Sequence, residues 1–225
     1  MQRVVTMHQI RSIVIAALVI TGLSNAASAE VELGFYTGYQ VAPHSRVEGT
    51  DPGGAGAFSF LTTWEGSSFS PPPYWGLRAT YWMNQKWGVG VDYNHAKVIA
   101  DPATRAAAGF SRLEFTDGLN IVTANVWRRW ENDARRWTPY VGAGAGFAFP
   151  HVDVSSAGGT TFEYQVTGPA VAVVAGVKYE FNDRWGMFGE YKGTYSMNEA
   201  TLTNGGTLST DIVTNAINVG VSFSF

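Results

Sequence analysis

The chain has 225 residues, a formal net charge of −3, 14% aromatic residues, 15% charged residues, 26 glycines and no cysteine. That length is one domain's worth. The lack of cysteine excludes a disulfide scaffold and thiolate ligation of a metal or iron–sulfur cluster. The negative charge argues against a nucleic-acid partner.

Residues 1–29 read as a secretory leader. Arg3 and Arg11 make a basic start, 13–20 a short apolar core, and Ala27-Ser28-Ala29 an A-x-A-like cleavage site. The apolar run is shorter than the roughly 20 residues of a membrane-spanning helix. Cleavage after Ala29 leaves one domain, 30–225, whose charge drops to −5 with Arg3 and Arg11 gone.

Eight strand-like stretches follow, near 31–44, 74–84, 87–97, 111–129, 138–151, 163–181, 184–198 and 210–225. Three connections are short: 84–85, 131–136 and 182–183. Four are long, centred on 46–73, 98–110, 153–162 and 199–209. Short turns at one end and long loops at the other are the outer-membrane barrel pattern. The predicted fold is therefore all-β: an eight-stranded antiparallel transmembrane up-and-down β-barrel of the outer membrane, with both ends periplasmic.

Alternation assigns the faces. In the last strand Ile217, Val219, Val221 and Phe223 point to lipid, and Ala216, Asn218, Gly220 and Ser222 inward. In "GAGAGFAF" Ala143, Ala145 and Phe147 point out. Glu32, Tyr36, Gln40, Arg78, Asp92, Asn94, Glu190 and Lys192 point inward, so charge faces the lumen, the reverse of a soluble barrel. The stretch "GLNIVTANVW" does not separate cleanly, and Pro169 marks a bulge. Six of the eight tryptophans (82, 87, 127, 130, 137 and 185) flank the short turns, where a periplasmic girdle belongs. The chain closes on the strand "NAINVGVSFSF". Outer-membrane barrels commonly end this way, and that likeness implies a signal read by the barrel-assembly machinery.

Two groups of side chains carry possible chemistry. Arg78, Asp92, Glu190 and Lys192 form a lumen network, read as a paired plug ahead of a catalytic group. "GAGAG" at 142–146 lies in an alternating strand and does not open a helix, so its glycines serve packing and not nucleotide binding. At the long-loop rim lie His44, Arg46, Glu48 and Asp51, then His95 and Lys97, Arg105, Arg112, Glu114 and Asp117, and His151 and Asp153. Three imidazoles and several carboxylates at one end suit a divalent metal or acid–base work; solvated loop polarity is the other reading.

The segments "FYTGYQVAPHSRVEGTDPGG", "PPYWGLRATYW", "VDYNHAKV", "LEFTDGLNIVTANV", "TPYVGAGAGFAFPHVDV", "TFEYQVTGPA", "FGEYKGTYS" and "TDIVTNAINVGVSF" together resemble the lipid A oxidase family of rhizobia and relatives, along nearly the whole of 30–225. The resemblance is one of overall texture and assigns no role residue by residue. It implies oxidation of the proximal glucosamine of dephosphorylated lipid A to 2-aminogluconate with molecular oxygen, releasing peroxide. The partners it implies are lipid A or lipopolysaccharide in the outer leaflet. The expected catalytic residues are His44, His95, Glu114 and Asp117. A divalent metal ion is expected on His44, Glu48, His95 and His151, and Arg46, Lys97 and Arg112 are expected to bind substrate phosphate. Lys97 stands two residues after His95, where lipid A deacylase barrels place serine, so a serine–histidine esterase is disfavoured. The alternative reading is a non-catalytic outer-membrane barrel of the opacity or small-porin kind, serving envelope integrity or adhesion.

Overall fold

The computed structural model describes residues 30–132 and 134–225; the expected leader lies outside the described residues. The strands are β1 (Glu30–Asp51), β2 (Gly56–Glu65), β3 (Trp75–Trp82), β4 (Trp87–Ala100), β5 (Phe110–Arg129), β6 (Trp137–Ala148), β7 (His151–Ser156), β8 (Gly159–Tyr164), β9 (Gly168–Glu180), β10 (Trp185–Thr201) and β11 (Thr207–Ser224). One short helix, α1 (Pro102–Ala107), joins β4 to β5. Asp101 caps it, accepting from Thr104 N at 2.8 Å, with Pro102 in its first turn.

The expectation of eight strands is corrected: the described residues form eleven strands in a single sheet, with antiparallel pairing throughout. The wall closes on itself through β1–β3–β4–β5–β6–β9–β10–β11, with β11 returning to β1. The strands the expectation lacked are β2, β7 and β8, which occupy what read as the loops 46–73 and 153–162. The reason is length. A tilted transmembrane strand needs about 9–11 residues, whereas β1 has 22 and β5 has 20. The surplus continues beyond the bilayer, where β2 pairs with β1 and β7 with β5, and β8 extends β7. The stretch expected as one strand at 163–181 is split between β8 and β9. Pro169 opposes Phe147 in an unshifted register at the start of β9, where its missing N–H is tolerated, so it marks a strand start and not a bulge.

Period-two alternation sets the faces as the bilayer requires. In β11 Val213, Ile217, Val219 and Val221 are exposed, while Ala216, Asn218 and Ser222 are buried. The tight turns repeat one device. Asn84 accepts from the backbone N–H groups of Lys86 and Trp87, and Asn182 from those of Arg184 and Trp185. Asn132 does the same for Ala134 in the third turn. The tryptophan girdle is only part of the expectation: Trp87, Trp130, Trp137 and Trp185 face outward, but Trp82 and Trp127 turn into the lumen.

Those inward rings need room, and glycine gives it. Tyr36, Trp82, Trp127, Tyr140 and Phe188 sit directly across from Gly76, Gly88, Gly142, Gly176 and Gly220 on neighbouring strands. A Cβ at Gly76 would lie 2.1 Å from the Tyr36 ring, and at Gly142 2.2 Å from Trp127. Each ring lies flat over the bare backbone opposite, so a narrow barrel fills with aromatic area.

The interior has two storeys. Toward the tight turns it is polar. Toward the long connections it is apolar: Val47, Val98, Phe110, Leu113, Phe115, Val154 and Leu208 are all buried there. Phe58 meets Phe110 edge-on at 5.0 Å, and Trp64 stacks near Phe115.

Candidate functional site

In the lower storey Arg78 lies at the centre. Its Nη1 and Nη2 donate to both oxygens of Glu190 at 2.9 Å, and its Nε donates to Asp92 at 3.0 Å. Lys192 bonds Asp92 and the Tyr36 hydroxyl. Tyr140 Oη and Asn218 Nδ2 donate to Glu190, and Tyr36 Oη donates to Asp92. Two cations meet two carboxylates, so the charges of the group balance. Below it, Lys178 pairs with Glu32, and Arg129 pairs with Glu30 and Glu131 while lying 4.0 Å above the Trp82 ring. The space between the two layers is about 20 Å³, room for about one water. The apolar storey is packed above it.

The expected rim residues divide. His44 and Glu48 are exposed on β1, and Arg46 reaches only Ser59 at 3.0 Å. Lys97 is buried and donates to the carbonyls of Ser70 and Pro71 at 3.0 and 2.8 Å, which ties the 66–74 loop to β4. Arg105 donates to the Ala100 carbonyl. Arg112 bridges Glu114 and Asp153 at 3.0 and 2.9 Å. Burial pushes the Asp153 carboxyl above its ordinary value, with Arg112 pulling against that rise. At the tip of β1, burial also pushes Asp51 up. Hydrogen bonds from Ser156, the Ala55 N–H and Asn204 more than offset it, and hold the carboxyl below the usual aspartate range. Among the described residues no group of three or more His, Asp or Glu side chains is placed to hold a metal ion.

His95 and Asp117 share a recess in the outer wall, and His151 approaches Asp117 beside it. The row Val89, Val91, Tyr93, His95 of β4 has the parity of the lipid-facing side, opposite to inward Asp92 and Asn94. Asn120, His95's partner in register on β5, lies on the same side. Trp75, Tyr93, Phe149, Tyr164 and Pro72 line the recess around His95, Asp117 and Asn120. Asn120 fixes the imidazole. Its Nδ2 faces the carbonyls of Gly118 and Phe149, so its Oδ1 is free to accept from Tyr93 Oη at 2.7 Å and His95 Nδ1 at 3.1 Å. Nδ1 therefore carries the proton, and Nε2 keeps its lone pair. That Nε2 is buried without a partner. Gly118, at φ +109°, is required beside it: a Cβ would lie 2.4 Å from Nδ1. His151 packs edge-on against Phe162 and Tyr164, with its Nδ1 3.7 Å from Asp117.

Sequence reasoning missed Asn120, Tyr93, Trp75, Phe149 and Tyr164. The available signal was parity: continuing Val89–Val91 by twos puts Tyr93 and His95 on the lipid side.

The profile of the outer membrane protein beta-barrel domain matches residues 14–225. No curated protein matches the chain in sequence. The crystal structure of Neisserial surface protein A is similar at a TM-score of 0.52 and 15% identity, covering 89% of this chain and 100% of that one. The solid-state NMR structure of outer membrane protein AlkL is similar at 0.49 and 15%, with coverages of 91% and 95%. The N-terminal β-barrel domain of Pseudomonas aeruginosa OprF gives 0.43 and 12%, with coverages of 88% and 98%. At such identities the likeness is one of fold. With the profile spanning the whole described barrel, the chain belongs to the outer membrane protein beta-barrel family and is a barrel of the Gram-negative outer membrane.

Proposed function

We propose that this protein is a non-conducting surface barrel of the opacity kind, serving envelope integrity or adhesion through its folded extracellular end. The packed interior supports the reading: a charge-balanced ion network lies below and an apolar core above. Assembly by the barrel-assembly machinery accords with β11 closing on β1. In planar bilayers the purified barrel should give no conductance steps, and steady unitary currents would refute the reading.

A second reading rests on the recess. A histidine with a free lone pair, set in an aromatic frame on the lipid-facing row, suits the headgroup of an outer-leaflet lipid. The resemblance to lipid A oxidases names that substrate as dephosphorylated lipid A. In that reaction the anomeric C–H and O–H of the proximal glucosamine give way to a carbonyl, and two electrons and two protons pass to O₂ to form H₂O₂. Water then opens the lactone to 2-aminogluconate. Once the recess side chains part to uncover it, His95 Nε2 would take the hydroxyl proton, and Asn120 would hold the ring. The expected divalent ion finds no three-ligand cluster among the described residues, so no step is assigned to it. One experiment separates the readings: a null strain complemented by wild type or by His95→Ala. If the barrel is non-catalytic, both restore detergent resistance, and neither purified protein yields peroxide with lipid A. If it is the oxidase, wild type yields peroxide and His95→Ala does not.

A further inference from the structure

The tight-turn end carries charge that neither reading uses. Lys86, Arg128, Arg135, Arg136 and Arg184 lie on three successive turns or beside them, and among the described residues none has a carboxylate within ion-pairing distance. Their neighbours differ: Arg129 turns inward to Glu30 and Glu131, and Lys178 to Glu32 and Glu180. Of the cations left over, Lys86, Arg135, Arg136 and Arg184 are exposed at the turns, and Arg128 lies against the exposed tryptophans.

Arg128 shows what they face. Its guanidinium carbon lies 5.0 Å from the centre of the Trp87 ring and 5.6 Å from that of Trp130. Both rings are about half exposed, at 46% and 48%. Indole at a barrel rim marks the headgroup level. Attraction to the two ring faces holds the guanidinium at that level, and among the described residues no acceptor takes its N–H groups. A planar donor edge held at headgroup depth matches a phosphodiester oxygen pair. Lys86 and Arg128 line one cleft with Trp130 and Glu131, and Arg135 and Arg136 line the next with Glu131 and Glu180, carboxylates already paired with Arg129 and Lys178.

We infer that this belt binds anionic phospholipid of the periplasmic leaflet, with Arg128 between Trp87 and Trp130 as its principal headgroup site. The occupant is a lipid and not a soluble anion because the bracketing indoles are exposed on the wall that faces acyl chains. The mature chain, refolded into phosphatidylcholine vesicles, is probed with spin-labelled phosphatidylglycerol or spin-labelled phosphatidylcholine. Electron spin resonance then gives the motionally restricted fraction of each. Phosphatidylglycerol should be selected about threefold at low salt. Selection should fall toward unity near roughly 1 M salt, where exposed charges are screened. Arg128→Gln should lose most of the selection, and Arg105→Gln, at the other end, none. Equal association of both lipids with the wild type overturns the inference, as does selection that Arg105→Gln removes and Arg128→Gln leaves. Should Arg128→Gln fail to give a heat-modifiable barrel, Arg136→Gln is the second belt variant, and the salt titration of the wild type decides by itself.

Discussion

Glu190 is the residue on which the lumen's charge balance turns. It takes both ends of the Arg78 fork, the Tyr140 hydroxyl and the Asn218 amide. Glu190→Ala leaves Arg78 with Asp92 alone, while Asp92 must also serve Lys192. Removing one partner of a buried pair typically costs about 3–5 kcal/mol, because the other charge stays buried. The urea midpoint of the refolded barrel should fall accordingly. The double variant Arg78→Met, Glu190→Met removes one charge of each sign and keeps Asp92 with Lys192, so it should lose less than the single change. If Glu190→Ala moves the midpoint no further than Glu48→Ala on the exposed face, the network carries no such weight. At the same scale, Lys97 shows what sequence cannot give. A lysine beside a rim histidine reads as a phosphate ligand, yet here its ammonium holds two loop carbonyls. Those carbonyls come from Ser70 and Pro71, more than twenty residues away, and nothing in the local pattern announces them.

At the level of strands, glycine and aromatic residues work as matched pairs across the wall. Gly142→Val should therefore cut refolding yield sharply, since its side chain would collide with the Trp127 ring. Gly189→Ala, whose nearest neighbouring atom would be 4.0 Å away, should refold as wild type. Equal yields from the two would show that the rings can move aside. In the "GAGAG" stretch Gly142 faces the Trp127 ring, while Gly144 and Gly146 lie close against Asn125 and the Val122 carbonyl, a packing role that was legible in sequence. So were the lipid-facing rows and the inward charges. The strand number was not legible, for a physical reason. Beyond the bilayer water replaces lipid as the outer solvent, and the pattern inverts: Val47, Leu113 and Phe115 turn inward on strands that carry Tyr36, Thr123 and Asn125 inward lower down. A strand crossing that boundary loses clean alternation, as "GLNIVTANVW" does where Leu119, Asn120 and Ile121 are all buried. The segments β2, β7 and β8 lie wholly beyond it, and in a barrel pattern they pass for loops. The rim site suffered likewise: His95 and Asp117 line one recess and His151 reaches Asp117, while His44 lies outside it, because the wall's curvature and not chain order decides which strand ends meet.

Taken whole, the molecule joins a membrane barrel to a water-facing β extension by continuous strands, each half with its own interior. The upper half should behave as a folded domain and not as mobile loops. Trypsin added to intact cells meets Arg46, Arg105 and Arg112 there, yet backbone pairing and the apolar core should keep all three uncut over the time in which a flexible surface loop is cleaved. Leu113→Ala, which hollows that core at a fully buried site, should open them while the membrane-embedded fragment stays intact. Rapid cutting of the wild type at these arginines would show that the extension is not held. The apolar upper storey also bears on what the cell displays. An immune system or a phage meeting this surface finds discontinuous epitopes set by strand pairing, so antibodies raised against linear peptides from 98–110 or 153–162 should fail to stain intact cells that antibodies against the folded barrel label.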